Sequence, residues 1–195
     1  MGARKLDRDW TLLARNYLLQ TDYAARGGVF QDRVQLGLAY RDTDTNRINA
    51  LGKLEFKNER DASNAALGNL NSQATILSTH MDWHPSRPWW LTGRVAAKWQ
   101  TDRFADGVKD RFAAQLLSGR LVYDVSENWD LGLLAAAQLG QHGARQSALG
   151  VEVGYLVRQN LWLSAGYNRT GFSADADPSA ARFQRVNRSW SASFT

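Results

Sequence analysis

Between Ser118 and Leu139 apolar and polar residues alternate with a period of two on both sides of a Ser126-Glu127-Asn128 turn. Gly119, Leu121, Tyr123 and Val125 share one face of the first arm, opposite Ser118, Arg120 and Asp124, and only Val122 is out of place. In the second arm Trp129, Leu131, Leu133, Ala135, Ala137 and Leu139 oppose Asp130, Gly132 and Gln138. Successive side chains of a strand point to opposite sides, so the pattern predicts a two-faced β-hairpin.

The same unit recurs along the chain. A first strand from about Trp10 to Gln20 sets Trp10, Leu12, Ala14 and Leu18 against Thr11 and Arg15, and a loop containing Arg26, Gly27 and Gly28 follows. Val34, Leu36, Leu38 and Tyr40 alternate with Arg33, Gln35, Gly37, Ala39 and Arg41. After a turn at Asp42–Asn46, whose side chains readily bond nearby backbone, Ile48, Ala50, Leu54 and Phe56 oppose Asn49, Lys53, Glu55 and Lys57. Leu77, Met81 and Trp83 face away from Ser78, His80, Asp82 and His84. Beyond a Pro85–Pro88 turn, Trp89, Leu91, Val95 and Trp99 oppose Thr92, Arg94, Lys98 and Gln100. Leu149, Val151, Val153, Tyr155 and Val157 oppose Gln146, Glu152 and Gly154, and Leu161, Leu163, Ala165 and Tyr167 oppose Ser164, Gly166 and Asn168. The last strand sets Val186, Trp190, Ala192 and Phe194 against Asn187, Ser189, Ser191 and Ser193. Arg188 falls on its apolar side. A long side chain there can reach towards a polar boundary.

Connections after the second, fourth, sixth and eighth strands are short, and most of the others are longer. Trp10, Tyr40, Trp83, Trp89, Tyr123, Trp129, Tyr155 and Phe194 gather at the short-turn end, with Phe56, Trp99 and Tyr167 near the other. Apolar rows bordered by aromatics, a polar opposite row and alternating loop lengths predict an all-β fold: an antiparallel transmembrane β-barrel of about ten strands, or part of a larger barrel. Residues 1–195 then form a single domain. An even strand number returns both termini to the periplasmic side.

Composition sharpens this picture in three ways. No apolar run approaches the length of a membrane-spanning helix, which a barrel does not need. Eight Trp residues suit membrane–water boundaries, and the absence of Cys removes disulfides and thiolate metal sites. The net charge of +5 is spread along the chain and not gathered in a stripe, and no nucleic-acid-binding motif is present, so no nucleic-acid partner is expected. The N-terminal residues lack the apolar core of a secretory signal. Export of a barrel therefore leads us to expect sequence upstream, or a signal already removed.

The segments Arg33–Arg41, Asn49–Phe56, Gly93–Trp99 and Leu161–Asn168 resemble the C-terminal barrel domain of large Gram-negative outer-membrane and surface proteins. That resemblance implies location in the bacterial outer membrane, contact with its lipid and lipopolysaccharide, and an upstream secreted region that the barrel anchors. It also implies recognition of the last strand by barrel-assembly machinery through a terminal aromatic; here Phe194 is penultimate and Thr195 follows.

The polar row carries Arg15, Arg33, Arg41, Lys53, Glu55, Arg94, Lys98, Arg120, Asp124 and Glu152, which would line a lumen. Opposite charges on neighbouring strands would close a narrow interior by ion pairing, whereas an excess of cations would favour anions in an open one. The expected function is a membrane anchor or surface-display domain with a largely plugged lumen, the alternative being a narrow porin-like channel with anion preference. His80, Asp82 and His84 alternate on one face, but no fourth ligand accompanies them, and no metal or other cofactor is expected. His142 and the loop carboxylates Asp102, Asp106 and Asp110 show no catalytic spacing, and no enzymatic activity is expected.

Overall fold

The computed structural model describes residues 1–23, 27–63, 70–141, 144–174 and 183–194. Eleven strands form one sheet whose spatial order is the order of the chain. Its elements are β1 (Gly2–Lys5), β2 (Trp10–Tyr23), β3 (Gly27–Arg41), β4 (Ile48–Asp61), β5 (Leu70–Trp83) and β6 (Trp89–Arg103). They continue as β7 (Lys109–Asp124), β8 (Trp129–Gly140), β9 (Arg145–Arg158), β10 (Leu161–Ala174) and β11 (Phe183–Phe194). Sequential neighbours pair antiparallel, as hairpin connections require.

The eleventh strand is the short β1. It lacks two-residue alternation, and it pairs antiparallel with β2 from Gly2 opposite Ala14 to Lys5 opposite Thr11. Its four residues are too few to cross a bilayer, whereas β2 to β11 have 12 to 16 residues each. A crossing strand needs about 9–11 residues. Ten strands of sufficient length therefore remain, as the alternation predicts.

Several strands outrun their side-chain pattern. Gly27 and Gly28, expected in a loop, already pair with Tyr23 and Asp22, and β10 runs to Ala174, beyond the alternation that ends at Asn168. Gly27 has φ +82, and a Cβ there would collide with the Ala62 carbonyl, so only glycine fits. Asn160 takes φ 68 in the two-residue connection between β9 and β10, a conformation asparagine tolerates.

Two compact units are distinguished. One comprises Met1–Thr43, Ala50–Thr79 and Ala96–Ala114; the other comprises Asp44–Asn49, His80–Val95 and Gln115–Thr195. Within the first, β2 and β3 stay in register from Trp10–Tyr40 to Tyr23–Gly27. Within the second, the β9–β10 register shifts once, between Leu161 and Trp162, and beyond that shift β8, β9, β10 and β11 align so that Leu133, Val151, Tyr167 and Trp190 form one cross-strand row.

Neither unit has a hydrophobic core of ordinary kind. Among the described residues the buried hydrophobic ones are Ala74 and Ala114, and the one side chain of appreciable size that is fully buried belongs to Glu55. Leu36, Leu54, Leu77, Val95, Leu133 and Val151 are all exposed.

Candidate functional site

The apolar face follows the strand period closely. In β3, Val34, Leu36 and Leu38 are exposed while Arg33, Gln35 and Ala39 are half-buried and Gly37 is buried. In β9, Leu149, Val151 and Val153 are exposed, whereas Glu152 is half-buried and Gly150 and Gly154 are buried. In these two strands large side chains thus project from one face with little packed over them, and the opposite face is the more crowded.

Aromatic pairs border the apolar face at the short-turn end. Trp10 and Tyr40 are ladder partners with ring centroids 4.9 Å apart, and Trp129 and Tyr155 are partners at 4.4 Å. Trp89 and Tyr123 meet in the same way at 4.4 Å. In all three the Trp opens one strand and the Tyr stands near the end of the next, so each hairpin is clasped at its open end. Trp83 closes β5 exposed and without a ring partner among the described residues; the side chain of Phe194 lies outside them. Tyr167 and Trp190 form a fourth pair, at 4.9 Å, further along β10 and β11. Phe56 and Trp99, expected at this other border, are exposed in β4 and β6. Trp190 lay on the expected apolar row, but its pairing with Tyr167 needed the register.

On the polar face of the first unit, three expected residues converge. Glu55, 1% exposed, accepts from Arg33 Nε at 2.6 Å and lies 3.2 Å from Lys53 Nζ. Gln35 Nε2 donates to the second carboxylate oxygen at 2.7 Å, completing the set with a neutral residue that charge counting overlooks. Lys98 Nζ stands 5.9 Å from the centre of the Phe112 ring, within cation–π reach. Arg15 pairs with Gln35 across β2 and β3 and is exposed, as is Arg41 at the end of β3.

In the second unit Arg120 Nη2 donates to Glu152 Oε2 at 3.2 Å, but both side chains remain wet. Glycines make room beside them: a Cβ on Gly154 would meet the Trp162 ring and the Asp130 carboxylate, and one on Gly150 would meet Asn168. The alternation already sets Asp130 on the polar face, but Trp162 does not stand out in the sequence as an interior residue, because it looks like an ordinary turn-proximal side chain. Asp124 is exposed at the end of β7, and Arg94 is exposed with no described partner.

The remaining candidates are dispersed. His80 Nε2 and Asp82 Oδ2 are 3.3 Å apart, but His84 stacks against Trp90 with centroids 4.7 Å apart, and Asp82 accepts from Thr92 at 3.2 Å. Among the described residues no three His, Asp or Glu side chains converge as a metal site would require. Asp102 accepts from Gln100, and Asp106 caps the amide of Val108. Asp110 is exposed, and His142 lies outside the described residues.

No protein-family model and no curated protein matches this chain. Among solved structures it is similar to the NanC porin in a rhombohedral crystal form, with 11% sequence identity and a TM-score of 0.38, over 93% of this chain and 92% of that one.

Proposed function

We propose that this chain is an integral β-barrel domain of the bacterial outer membrane, acting as an anchor or display platform and not as an enzyme. One observation carries the reading: the large aliphatic side chains are exposed on one face and bordered by Trp–Tyr pairs, while Glu55 is buried on the other. In water that arrangement leaves the hydrophobic effect unused, since each Leu or Val side chain removed from water contributes roughly 1.5–3 kcal/mol. Hydrocarbon against the apolar face recovers that energy, and rings with one apolar and one polar side suit the boundary on either side of it.

The polar face then lines the lumen. The Glu55 cluster ties β3 to β4 there, the Arg120–Glu152 pair reaches across β8 from β7 to β9, and both narrow the interior, which favours an anchor over an open pore. Lipid, and barrel-assembly machinery acting on β11, are its expected partners. The test is folding of the purified chain into detergent or vesicles: compact, heat-modifiable gel migration that persists in urea supports the reading, and a water-soluble species with no such migration refutes it.

A second reading is a narrow channel preferring anions. Among the lumen-lining candidates the cations Arg33, Arg41, Lys53, Arg94, Lys98 and Arg120 outnumber the carboxylates Glu55, Asp124 and Glu152, and Arg94 has no described partner. Bilayer conductance separates the readings, because an anchor with a closed lumen is silent.

A further inference from the structure

The apolar face of the second unit carries arginines that the membrane reading by itself leaves unexplained. Arg169 stands directly opposite Arg188 in the β10–β11 ladder and opposite Leu149 in the β9–β10 ladder. Both arginines therefore share the face of Leu149, Val151, Tyr167 and Trp190. Arg145 joins that face opposite Ser173. Like charges directly opposite one another weaken a strand pair, and no carboxylate among the described residues contacts any of the three.

Two depressions meet at Arg169. The smaller, about 210 Å³, is lined by Arg145, Ser147, Arg169, Ser173 and Val186. It offers two guanidinium groups and two hydroxyls and no acid. The larger, about 870 Å³, is an apolar groove that runs from Arg169 and Tyr167 past Val151, Leu133 and Leu91 to Met81. That volume is within the range of sites that bury a small molecule. The Tyr167–Trp190 pair lies two residues from both Arg169 and Arg188, on the groove side.

We infer that this composite is a binding site for one anionic lipid: the arginine pocket takes the phosphate-bearing headgroup and the groove takes an acyl chain. The inference rests on the membrane reading above. A phosphate held in that pocket by Arg145 and Arg169, with Arg188 directly across the ladder from Arg169, offsets the repulsion between the arginines and forms charge-assisted hydrogen bonds, to which planar guanidinium groups are well matched. The aromatic pair marks the level where acyl chain gives way to headgroup, and the arginines stand just beyond it on the headgroup side. An unattached phosphate ion would use the pocket and leave the groove empty, so the groove argues for a lipid-borne phosphate.

The full chain is folded into bilayer discs of phosphatidylcholine mixed with phosphatidylglycerol, and the co-retained lipid is identified by mass spectrometry after detergent exchange. The wild type is expected to retain phosphatidylglycerol preferentially, and Arg169→Gln/Arg188→Gln to bind it about tenfold more weakly with heat-modifiable migration unchanged. Equal retention by wild type and a folded double variant overturns the inference and leaves the membrane reading standing. Binding of inorganic phosphate as tight as that of the lipid also overturns it, since the groove then contributes nothing. Should the double variant not fold, Arg145→Gln at the pocket wall decides on the same terms. A wild type that never acquires heat-modifiable migration removes the membrane reading and the inference together.

Discussion

Trp129 and Tyr155 face each other across β8 and β9 at 4.4 Å between ring centroids, holding the first residue of one strand against the closing turn of the next. An aromatic pair of this geometry contributes about 0.5–1.5 kcal/mol beyond the area it buries. A double-mutant cycle of Trp129→Leu and Tyr155→Leu, read by urea unfolding of the folded chain in vesicles, is expected to give a coupling in that range. Additive effects would show that the rings sit together without stabilising one another.

Substitutions that differ only in strand phase discriminate the solvent of each face. Leu36 and Leu133 are 49% and 50% exposed on the apolar face, and Gln35 is half-buried on the other. Arg at a lipid-facing midplane position costs about 2–4 kcal/mol, and far less in a polar interior. Leu36→Arg and Leu133→Arg should each lower the folded, heat-modifiable fraction strongly, while Gln35→Arg changes it little. Similar effects at all three positions would contradict hydrocarbon on the Leu face.

Glu55 is the electrostatic keystone of the polar face. Removing its charge leaves Arg33 and Lys53 without their carboxylate, but both cations remain more than a third exposed. Breaking a fully buried pair costs about 3–5 kcal/mol, and solvent screening places this case lower, at about 1–3 kcal/mol. Glu55→Ala should lower stability by that amount in urea unfolding, and Arg33→Ala by less, since Lys53 and Gln35 still hold the carboxylate.

Acid should loosen the contact between Asp9 and Thr43. The Thr43 hydroxyl, 2.6 Å from Asp9 Oδ1, and then the Thr43 amide at 3.1 Å hold the Asp9 carboxyl below its ordinary value. Folding therefore favours the charged form: the contact stabilises fully above the ordinary carboxylate range and is lost as pH falls through the lower value Asp9 has when folded. Asp9→Asn should be less stable than the wild type near neutral pH. The two should converge on acidification below about pH 4, as thermal unfolding across pH would show.

Conductance tests the interior. Silence of the wild type in planar bilayers supports a closed lumen. Anion-selective currents that shift towards cations in Arg94→Glu and Arg120→Glu would instead establish the channel reading.

Alternation of Leu, Val and Trp with Arg, Gln and Gly was enough to place ten strands, because a period of two is a property of one strand and needs no partner. The same local code identified Arg33, Lys53 and Glu55 as residues of one polar face. It was blind to β1, whose four residues carry no side-chain alternation. It also stopped β3 and β10 short, where hydrogen bonding continues beyond the alternation. Register is a relation between strands, and only the folded sheet decided which charges meet: Gln35 completing the Glu55 cluster, Lys98 over Phe112, and Arg169 set against Arg188. Residues 19 positions apart become neighbours there through hydrogen bonds that carry no side-chain signature, which is why a single odd arginine in the sequence became a paired site in the structure.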